Sequence, residues 1–484
     1  MNKPIRRLSF VVAALFGALL ISTTWIQFVT AKSLDNRPGN RRTLLESYSR
    51  ERGAILVDGT PIAKSVPTKD ELKFVRTYPS GKLYSQVTGY YSFTYGAGGG
   101  LEGAEDSLLS GQSDKLFYRR VLDMVTGKAP SGASLELTIN PKAQLAADKA
   151  LGGQRGAVVA LDPSTGAILA MVSHPQYDPA TLSSHNLGKV SAAWTKLNSS
   201  SGRPADNRAI ASNLYPPGST FKLVTAAAAL SSGKFTEESQ LPGPASLDLP
   251  LTATDLPTDD HQPCGPGGKT TLTHALEISC NSAFGSLGLQ LGGDALREQA
   301  AKFGFGDSIR VPMRVSPSIV PPLNAPQSAQ AAIGQYEVRV TPLQVAMVSA
   351  AIANQGKVMN PYLVKDTRSS NLDVIDQTQP VELSEAVTPD VAAALTRMMV
   401  TVVKSGTGTA SQIPGITVAG KTGTAQNVKG GNPHAWFTAF APANDPKVAV
   451  AVVVENGGDA GSEAFGGKVA APIARKVIES VLKP

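Results

Sequence analysis

The chain opens with an apolar run that carries no charge, Leu8 to Val29, LSFVVAALFGALLISTTWIQFV. At about 22 residues it matches a transmembrane helix, which needs about 20, and exceeds the roughly 7–15 apolar residues of a cleavable signal. Lys3, Arg6 and Arg7 precede it, which places the N-terminus inside a cell and the rest of the chain outside. Trp25 and Gln27 then fall near the outer interface. Cleavage after Ala31, behind the small residues of VTA, is the alternative; length favours the uncleaved anchor.

Beyond the anchor the apolar positions alternate in short stretches, with no internal repeat. SRERGAILVDGTPIAKS, residues 49–65, predicts strand-turn-strand with Asp58-Gly59 at the turn. The glycine-rich YGAGGGLEGAEDSLLSG, 95–111, reads as a flexible or tightly turned connection and completes no phosphate-binding pattern. RGAVVALDPSTGAILAMVSHP, 155–175, predicts a hairpin at which a second domain begins. Residues 219–230 predict an apolar helix stopped by Ser231, Ser232 and Gly233. The proline-, glycine- and aspartate-rich stretch 236–270 predicts loops or short hairpins, and two helical runs follow around TLTHALEISCNSAFGSLGLQLG. ITVAGKTGTAQ, AWFTAFAP and KVAVAVVVEN then predict successive strands of one antiparallel sheet, closed by the amphipathic APIARKVIESVL. Strands at both ends and helices between them make the fold α+β, a sheet covered by helices. The predicted division is a tail 1–7, an anchor 8–29, a module 33–152 and a second domain 153–484.

Composition changes this picture little. Hydrophobic content of 42% and charge of 17% describe a folded chain of 484 residues. The net charge of +7 is concentrated: residues 1–50 hold eight basic and two acidic residues, a surplus of six. A basic flank beside an apolar segment suits a membrane surface, so nucleic-acid binding is set aside. Cys264 and Cys280 are the two cysteines. Outside a membrane they suit a disulfide; two free thiols, or zinc shared with His261 and His274, are the other readings, although the spacing fits no familiar zinc knuckle.

The chemistry gathers around YPPGSTFKLVTAAAAL, 215–230. Ser219 and Lys222 are three apart and share one helix face. A serine hydroxyl is a weak nucleophile that needs a base. Lysine serves only when deprotonated, which burial and a second nearby cation favour. The start of a helix also offers free backbone N–H groups to an oxyanion. Taken singly, Ser219 is an N-cap and Lys222 a solvated charge; an N-terminus, however, disfavours a cation. Two further stretches alter the balance: Ser279-Cys280-Asn281 between helical runs, and Lys421-Thr422-Gly423-Thr424 on an apolar strand. Ser-x-x-Lys, Ser-x-Asn and Lys-Thr-Gly, in that order, form the motif set of penicillin-binding proteins and serine β-lactamases.

The resemblance extends past the motifs. RGAVVALDPSTGAILAMVSHPQYDP and AIGQYEVRVTPLQVAMVSAAIANQG are similar to the transpeptidase domain of class B penicillin-binding proteins, and RERGAILVDGTPIA resembles the opening of their N-terminal module. The chain resembles most the short class B proteins of actinobacteria. That resemblance implies a transpeptidase-like domain, a five-stranded antiparallel sheet with helices on both faces, on an N-terminal pedestal. It implies a D,D-transpeptidase that cross-links peptidoglycan stem peptides through an acyl-enzyme on Ser219, formed from D-alanyl-D-alanine and blocked by β-lactams. Lys222 takes the Ser219 proton, Ser279 relays protons to the leaving amine, and Asn281 binds the substrate amide and Lys222. Lys421 adds positive charge that keeps Lys222 neutral and attracts the substrate carboxylate. Thr422 and Thr424 bind that carboxylate, Gly423 lets the substrate backbone approach, and the N–H groups of Ser219 and Thr424 form the oxyanion hole.

Two departures from the family pattern stand out: Cys280 in the middle of Ser-x-Asn, where a bond to Cys264 would border the site, and Tyr336, where many relatives have glycine. No metal or organic cofactor follows from this mechanism. About 120 residues before the second domain leave no room for a glycosyltransferase, and no appended sensor or repeat domain is expected beyond the last helix. The implied partners are stem peptides on lipid-linked precursor or nascent glycan, β-lactams as covalent inhibitors, and a membrane glycan polymerase or division proteins. The anchor and pedestal argue against a β-lactamase. A D,D-carboxypeptidase would differ only in using water as acceptor. A penicillin-sensing receptor would need further membrane helices, and no second apolar run of about 18 residues follows. The implied location is the bacterial cell membrane, single-pass, with the catalytic domain on the extracytoplasmic side.

Overall fold

Five apolar stretches form the central sheet of the computed structural model, which describes residues 3–30, 48–116, 127, 131–211, 214–426, 431–463 and 465–483. Their order is Ala419–Ala425, His434–Ala441, Val448–Val454, Gly156–Leu161 and Ile168–His174, with every neighbouring pair antiparallel. The predicted hairpin 155–175 and the three later strands therefore lie side by side. Val448–Val454 is buried at every position. Because a strand alternates faces, Val448, Val450, Val452 and Val454 enter one core, whereas Ala449, Ala451 and Val453 enter another.

Helices cover both faces. Ala143, Ala147 and Leu151 of Pro141–Leu151 join Ala470, Ile473, Ala474 and Val477 of Gly466–Leu482 over one face. The other face carries Pro342–Ala353, with Lys222–Ser231 and Pro389–Lys404 nearby. Pro342–Ala353 is apolar around its circumference because it is buried around its circumference. Each fully buried Val, Leu or Phe contributes roughly 1.5–3 kcal/mol relative to exposure. The sheet is thus a rigid base, and Ala419–Ala425 forms its edge.

A second sheet of six strands runs Val374–Gln377, Val364–Arg368, Ser134–Leu137, Ile55–Val57, Thr60–Pro67 and Phe74–Thr77. The predicted turn is present: Asp58 and Gly59 both have positive φ, 49° and 68°, as a two-residue hairpin loop of the primed type requires. Two features cut across a division at 152/153. Pro141–Leu151 packs in the core of the five-stranded sheet, and 364–377 pairs with the N-terminal strands.

The glycine-rich stretch 95–111 is more than a connection. It contains the short helices Gly100–Ala104 and Asp106–Leu109 and supplies Glu102, whose side chain is fully buried. Glu102 accepts from Arg52 Nε and Arg76 Nε, both at 2.6 Å. Burial alone would raise its pKa, but Arg76 and Arg52 outweigh that and hold the carboxyl below its usual range. The same segment supplies Asp106, which pairs with Arg52 at 2.6 Å, so both buried guanidiniums face carboxylates from it.

Lys3–Trp25 is a helix of 23 residues, long and apolar enough to cross a membrane, and its turns widen through Ile26–Thr30. The alternative cleavage point after Ala31 and residues 33–47 of the expected module lie outside the described residues.

Glu102→Ala should leave Arg76 buried without a carboxylate, while Arg52 keeps Asp106 at 2.6 Å, and removing one partner of a buried pair costs about 3–5 kcal/mol. Urea unfolding of the soluble chain should show that loss as a lowered midpoint; an unchanged midpoint would mean that the cluster is energetically idle.

Candidate active site

Tyr215-Pro216-Pro217 delivers the chain to a tight turn, Gly218–Phe221, before the helix Lys222–Ser231 begins. Ser219 therefore stands on the turn and not in the helix proper. The turn is clamped on every side. Tyr215 N–H donates to Val340 O at 2.9 Å, Trp436 Nε1 to Pro216 O at 3.1 Å, and Gly218 N–H to Gly334 O at 3.0 Å. Gly218 has φ +53°, and a Cβ there would meet Thr424 O at 2.5 Å. A Cβ on Gly334 would meet Gly218 O at 2.0 Å. Only glycine lets three backbones converge this closely, and the result sets Ser219 against the Lys421–Thr424 edge.

Lys222 is fully buried among Leu223, Val224 and the alanines of its helix. Its Nζ donates to Ser279 O at 2.6 Å and to Asn281 Oδ1 at 2.7 Å, with Ser279 Oγ at 3.3 Å. The Phe284 ring lies 5.6 Å away. Burial pushes its pKa down to about 7, while Asp259 opposes the shift. A neutral amine has two N–H bonds and one lone pair. Two close acceptors occupy both N–H bonds, so the lone pair is left for a hydroxyl proton, and Ser279 Oγ lies 3.3 Å from it.

Lys421, also fully buried, donates to Ser279 Oγ at 2.9 Å and to Thr422 O at 3.0 Å. Burial first, and Lys222 second, push its pKa well below the ordinary lysine value. The resemblance gives the positive charge to Lys421; repulsion from Lys222 also acts on Lys421, so the two amines titrate as a pair. A carboxylate arriving beside Lys421 would draw the proton there and leave Lys222 neutral.

The loop between helices Leu272–Glu277 and Asn281–Leu291 presents Ser279, whose φ of +65° turns the chain sharply. Asn281 Nδ2 donates to Asp259 Oδ1 at 2.8 Å. Cys280 is bonded to Cys264, which ties the 236–270 region, here short two-stranded ladders, to this loop. With both sulfurs in that bond, the zinc reading has lost its thiolates. On the edge strand, Thr422 Oγ1 lies 2.6 Å from Thr407 Oγ1, and Gly423 leaves no room for a Cβ between Thr220, Trp436 and Pro217. Thr424 is partly exposed at the end of the strand.

The structure joins Lys222, Ser279, Asn281, Lys421 and Thr422 in one hydrogen-bonded cluster and packs the turn that bears Ser219 against Gly423 and Thr424 of the edge strand. Asp259, Thr407 and the anchors Tyr215 and Trp436 are not distinguished by the sequence. The tether from Cys264 to the Ser-x-Asn motif is the one signal that could have brought Asp259 into view.

A sequence model of the penicillin binding protein transpeptidase domain matches residues 156–479. The chain belongs to this family. A model of the penicillin binding protein A dimerisation domain matches 52–135. The peptidoglycan D,D-transpeptidase PbpA of Mycobacterium tuberculosis is 45% identical over 495 residues, covering 100% of this chain and 99% of that one. The PbpA of Mycolicibacterium smegmatis is 44% identical over 493 residues, with the same coverage. Among solved structures, the ceftriaxone acyl-enzyme complex of penicillin-binding protein A from M. tuberculosis aligns with a TM-score of 0.87. It has 44% identity and covers 91% of this chain and 100% of that one. The penicillin G acyl-enzyme complex of the same protein aligns at 0.85 with 43% identity, covering 90% and 100%. The fold of this penicillin-binding protein is therefore the transpeptidase fold on an N-terminal pedestal.

Because Lys222 must be neutral to act as a base, and its pKa lies near 7, penicillin acylation should rise with pH through about 7 and then level. Below that value the rate should fall about tenfold per unit; a flat profile from pH 5 to 8 would exclude Lys222 as the titrating base. Thiol titration of unfolded, unreduced protein should detect no free Cys264 or Cys280, and reduction should cost about 3 kcal/mol for a loop of this length. Two titratable thiols would refute the bond.

Proposed function

We infer that this chain is a peptidoglycan D,D-transpeptidase acting through a serine acyl-enzyme formed from D-alanyl-D-alanine and trapped by β-lactams. The observation that carries the inference is Lys222, buried, depressed in pKa and held by two acceptors, one residue beyond the turn that bears Ser219.

The steps use this chain's own groups. The substrate's terminal carboxylate binds beside Lys421, Thr422 and Thr424. Ser219 Oγ bonds to the penultimate carbonyl carbon as its proton passes to Lys222 Nζ. The oxyanion forms against the N–H groups of Ser219 and Thr424, where fixed donors favour developing charge. The carbon–nitrogen bond then breaks, and Ser279, linked to both lysines, passes the proton from Lys222 to the departing D-alanine amine. An acceptor amine attacks the ester, gives its proton to Lys222, and Ser219 is released with that proton. Asn281 holds Lys222 through Oδ1, and Gly423 admits substrate backbone along the sheet edge, a strand addition. With water as acceptor, the same groups would perform carboxypeptidation.

This reading divides the chain into a cytoplasmic tail 1–7, a membrane anchor 8–29, a pedestal 33–152 and a transpeptidase domain 153–484 outside the cell. Lys3, Arg6 and Arg7 before the apolar helix support that orientation. The membrane location suits a glycan polymerase or division proteins as partners, and lipid-linked precursor or nascent glycan as the carrier of the stem peptides.

The test uses a thioester mimic of the stem peptide with and without an amino acceptor. The aminolysis product should appear only with acceptor and outweigh hydrolysis; hydrolysis alone would make the protein a carboxypeptidase. Ser219→Ala should abolish labelling by penicillin. Lys222→Arg retains the charge but cannot be deprotonated, so its acylation should fall about 10²–10⁴-fold, nearly as far as that of Lys222→Ala. A folded arginine variant acylating at the wild-type rate would overturn the assignment of Lys222 as base.

A further inference from the structure

We propose that Asp259 is a positioning residue for acyl transfer: its carboxylate fixes the Asn281 amide so that Oδ1, and not Nδ2, faces Lys222. The inference rests on the reading of Lys222 as the base and extends it to a residue outside the three motifs.

An asparagine side chain has an oxygen that accepts and a nitrogen that donates, and the two ends are nearly equal in size. Nothing in Asn281 itself prefers one orientation. Lys222 Nζ needs an acceptor on its side, which Oδ1 supplies at 2.7 Å. Asp259, acceptor-only as a carboxylate, takes Nδ2–H on the other side at 2.8 Å. The chain carboxylate–amide–amine therefore has one satisfied arrangement. Turning the amide over would set N–H against an amine donor and oxygen against a carboxylate, a double loss.

Asp259 is exposed, so it is not a core group whose burial explains its presence. The loop that carries it is built from both sides. Thr258, adjacent and buried, donates Oγ1–H toward Gln262 O at 2.8 Å and lies 3.1 Å from Ala245 O. Cys264, five residues on, is bonded to Cys280 next to Asn281. Covalent and hydrogen-bonded ties thus hold the carboxylate against one residue of the active site. On the same loop, Asp260 accepts from Gln262 N–H at 3.0 Å, and His261 follows with φ +56°.

The charged groups facing Lys222 are Lys421 from the edge strand and Asp259 from this loop. Asp259 favours the ammonium forms of both lysines. Its charge therefore opposes deprotonation of the base while its hydrogen bond positions it. The two effects separate under substitution. Asp259→Asn keeps an oxygen for Asn281 Nδ2–H and removes the charge; Asp259→Ala removes both.

Penicillin acylation is measured against pH for the full chain and both variants, with melting recorded alongside. Asp259→Asn should keep most of the plateau rate and move the acidic limb to lower pH, because loss of a nearby anion lowers the Lys222 pKa. Asp259→Ala should move the limb the same way and lower the plateau about tenfold, the worth of a hydrogen bond to a charged group. A merely structural carboxylate would not shift the limb. Folded variants with wild-type plateau and limb would overturn the proposal, as would an asparagine variant that loses as much plateau rate as alanine. If the alanine variant does not fold, Asp259→Leu, which also removes both charge and acceptor, takes its place. Absence of labelling at Ser219 in the wild type would instead defeat the parent reading of the site.

Discussion

Two buried lysines share one hydroxyl. Lys222 and Lys421 both reach Ser279 Oγ, at 3.3 and 2.9 Å, in a place where neither ammonium is solvated. Burying one unpaired charge is costly, and burying two of the same sign side by side is more so. The pair therefore gives up a proton far more readily than lysines in water. An ordinary surface lysine is charged near neutral pH; Lys222, buried and bonded only to neutral acceptors, is held down to a pKa of about 7, as the proposed role of base requires.

The fold can be understood as what makes that arrangement rigid. Ser279 lies 57 positions from Lys222 and 142 from Lys421, so three separate segments must meet within hydrogen-bond distance. The edge strand is fixed by pairing along its length with His434–Ala441. The helix is fixed by alanines and leucine buried against the same core. The Ser279 loop has no sheet to hold it, and there the Cys264–Cys280 bond and the Thr258 anchor take over. Sites on strands and helices are held better than sites on loops, so the covalent tie is placed where the secondary structure offers least.

What the sequence reveals follows the same physics. Strands buried on both faces read as continuous apolar runs, and a helix with a buried lysine reads as a contradiction, so Val448–Val454 and Ser219–Lys222 could be found without coordinates. The three motifs carry side chains that the reaction itself needs. Asp259 and Thr407 touch those side chains, and their spacing along the chain bears no relation to the contact. Glu102 is hidden differently: a glycine-rich neighbourhood reads as loop, yet the partners that make it a buried anchor, Arg52 and Arg76, lie 50 and 26 positions away. Exchange of strands between modules is equally invisible, since Val364–Arg368 has nothing in its own pattern to say which sheet it joins.

That exchange has a mechanical consequence. Val364–Arg368 pairs with Ser134–Leu137 of the N-terminal sheet, although it follows the helix Pro342–Ala353 that backs the catalytic sheet. At the crossing, Thr138 Oγ1 lies within hydrogen-bond distance of Ile168 O, Tyr362 O and Leu363 O. Ala167 and Tyr362 bridge the hairpin turn to the same crossing. A single linker between modules would leave them free to swing, as small polar interfaces usually do. Here two chain segments and a shared hydroxyl join them, so the modules are tied at more than one point of the chain.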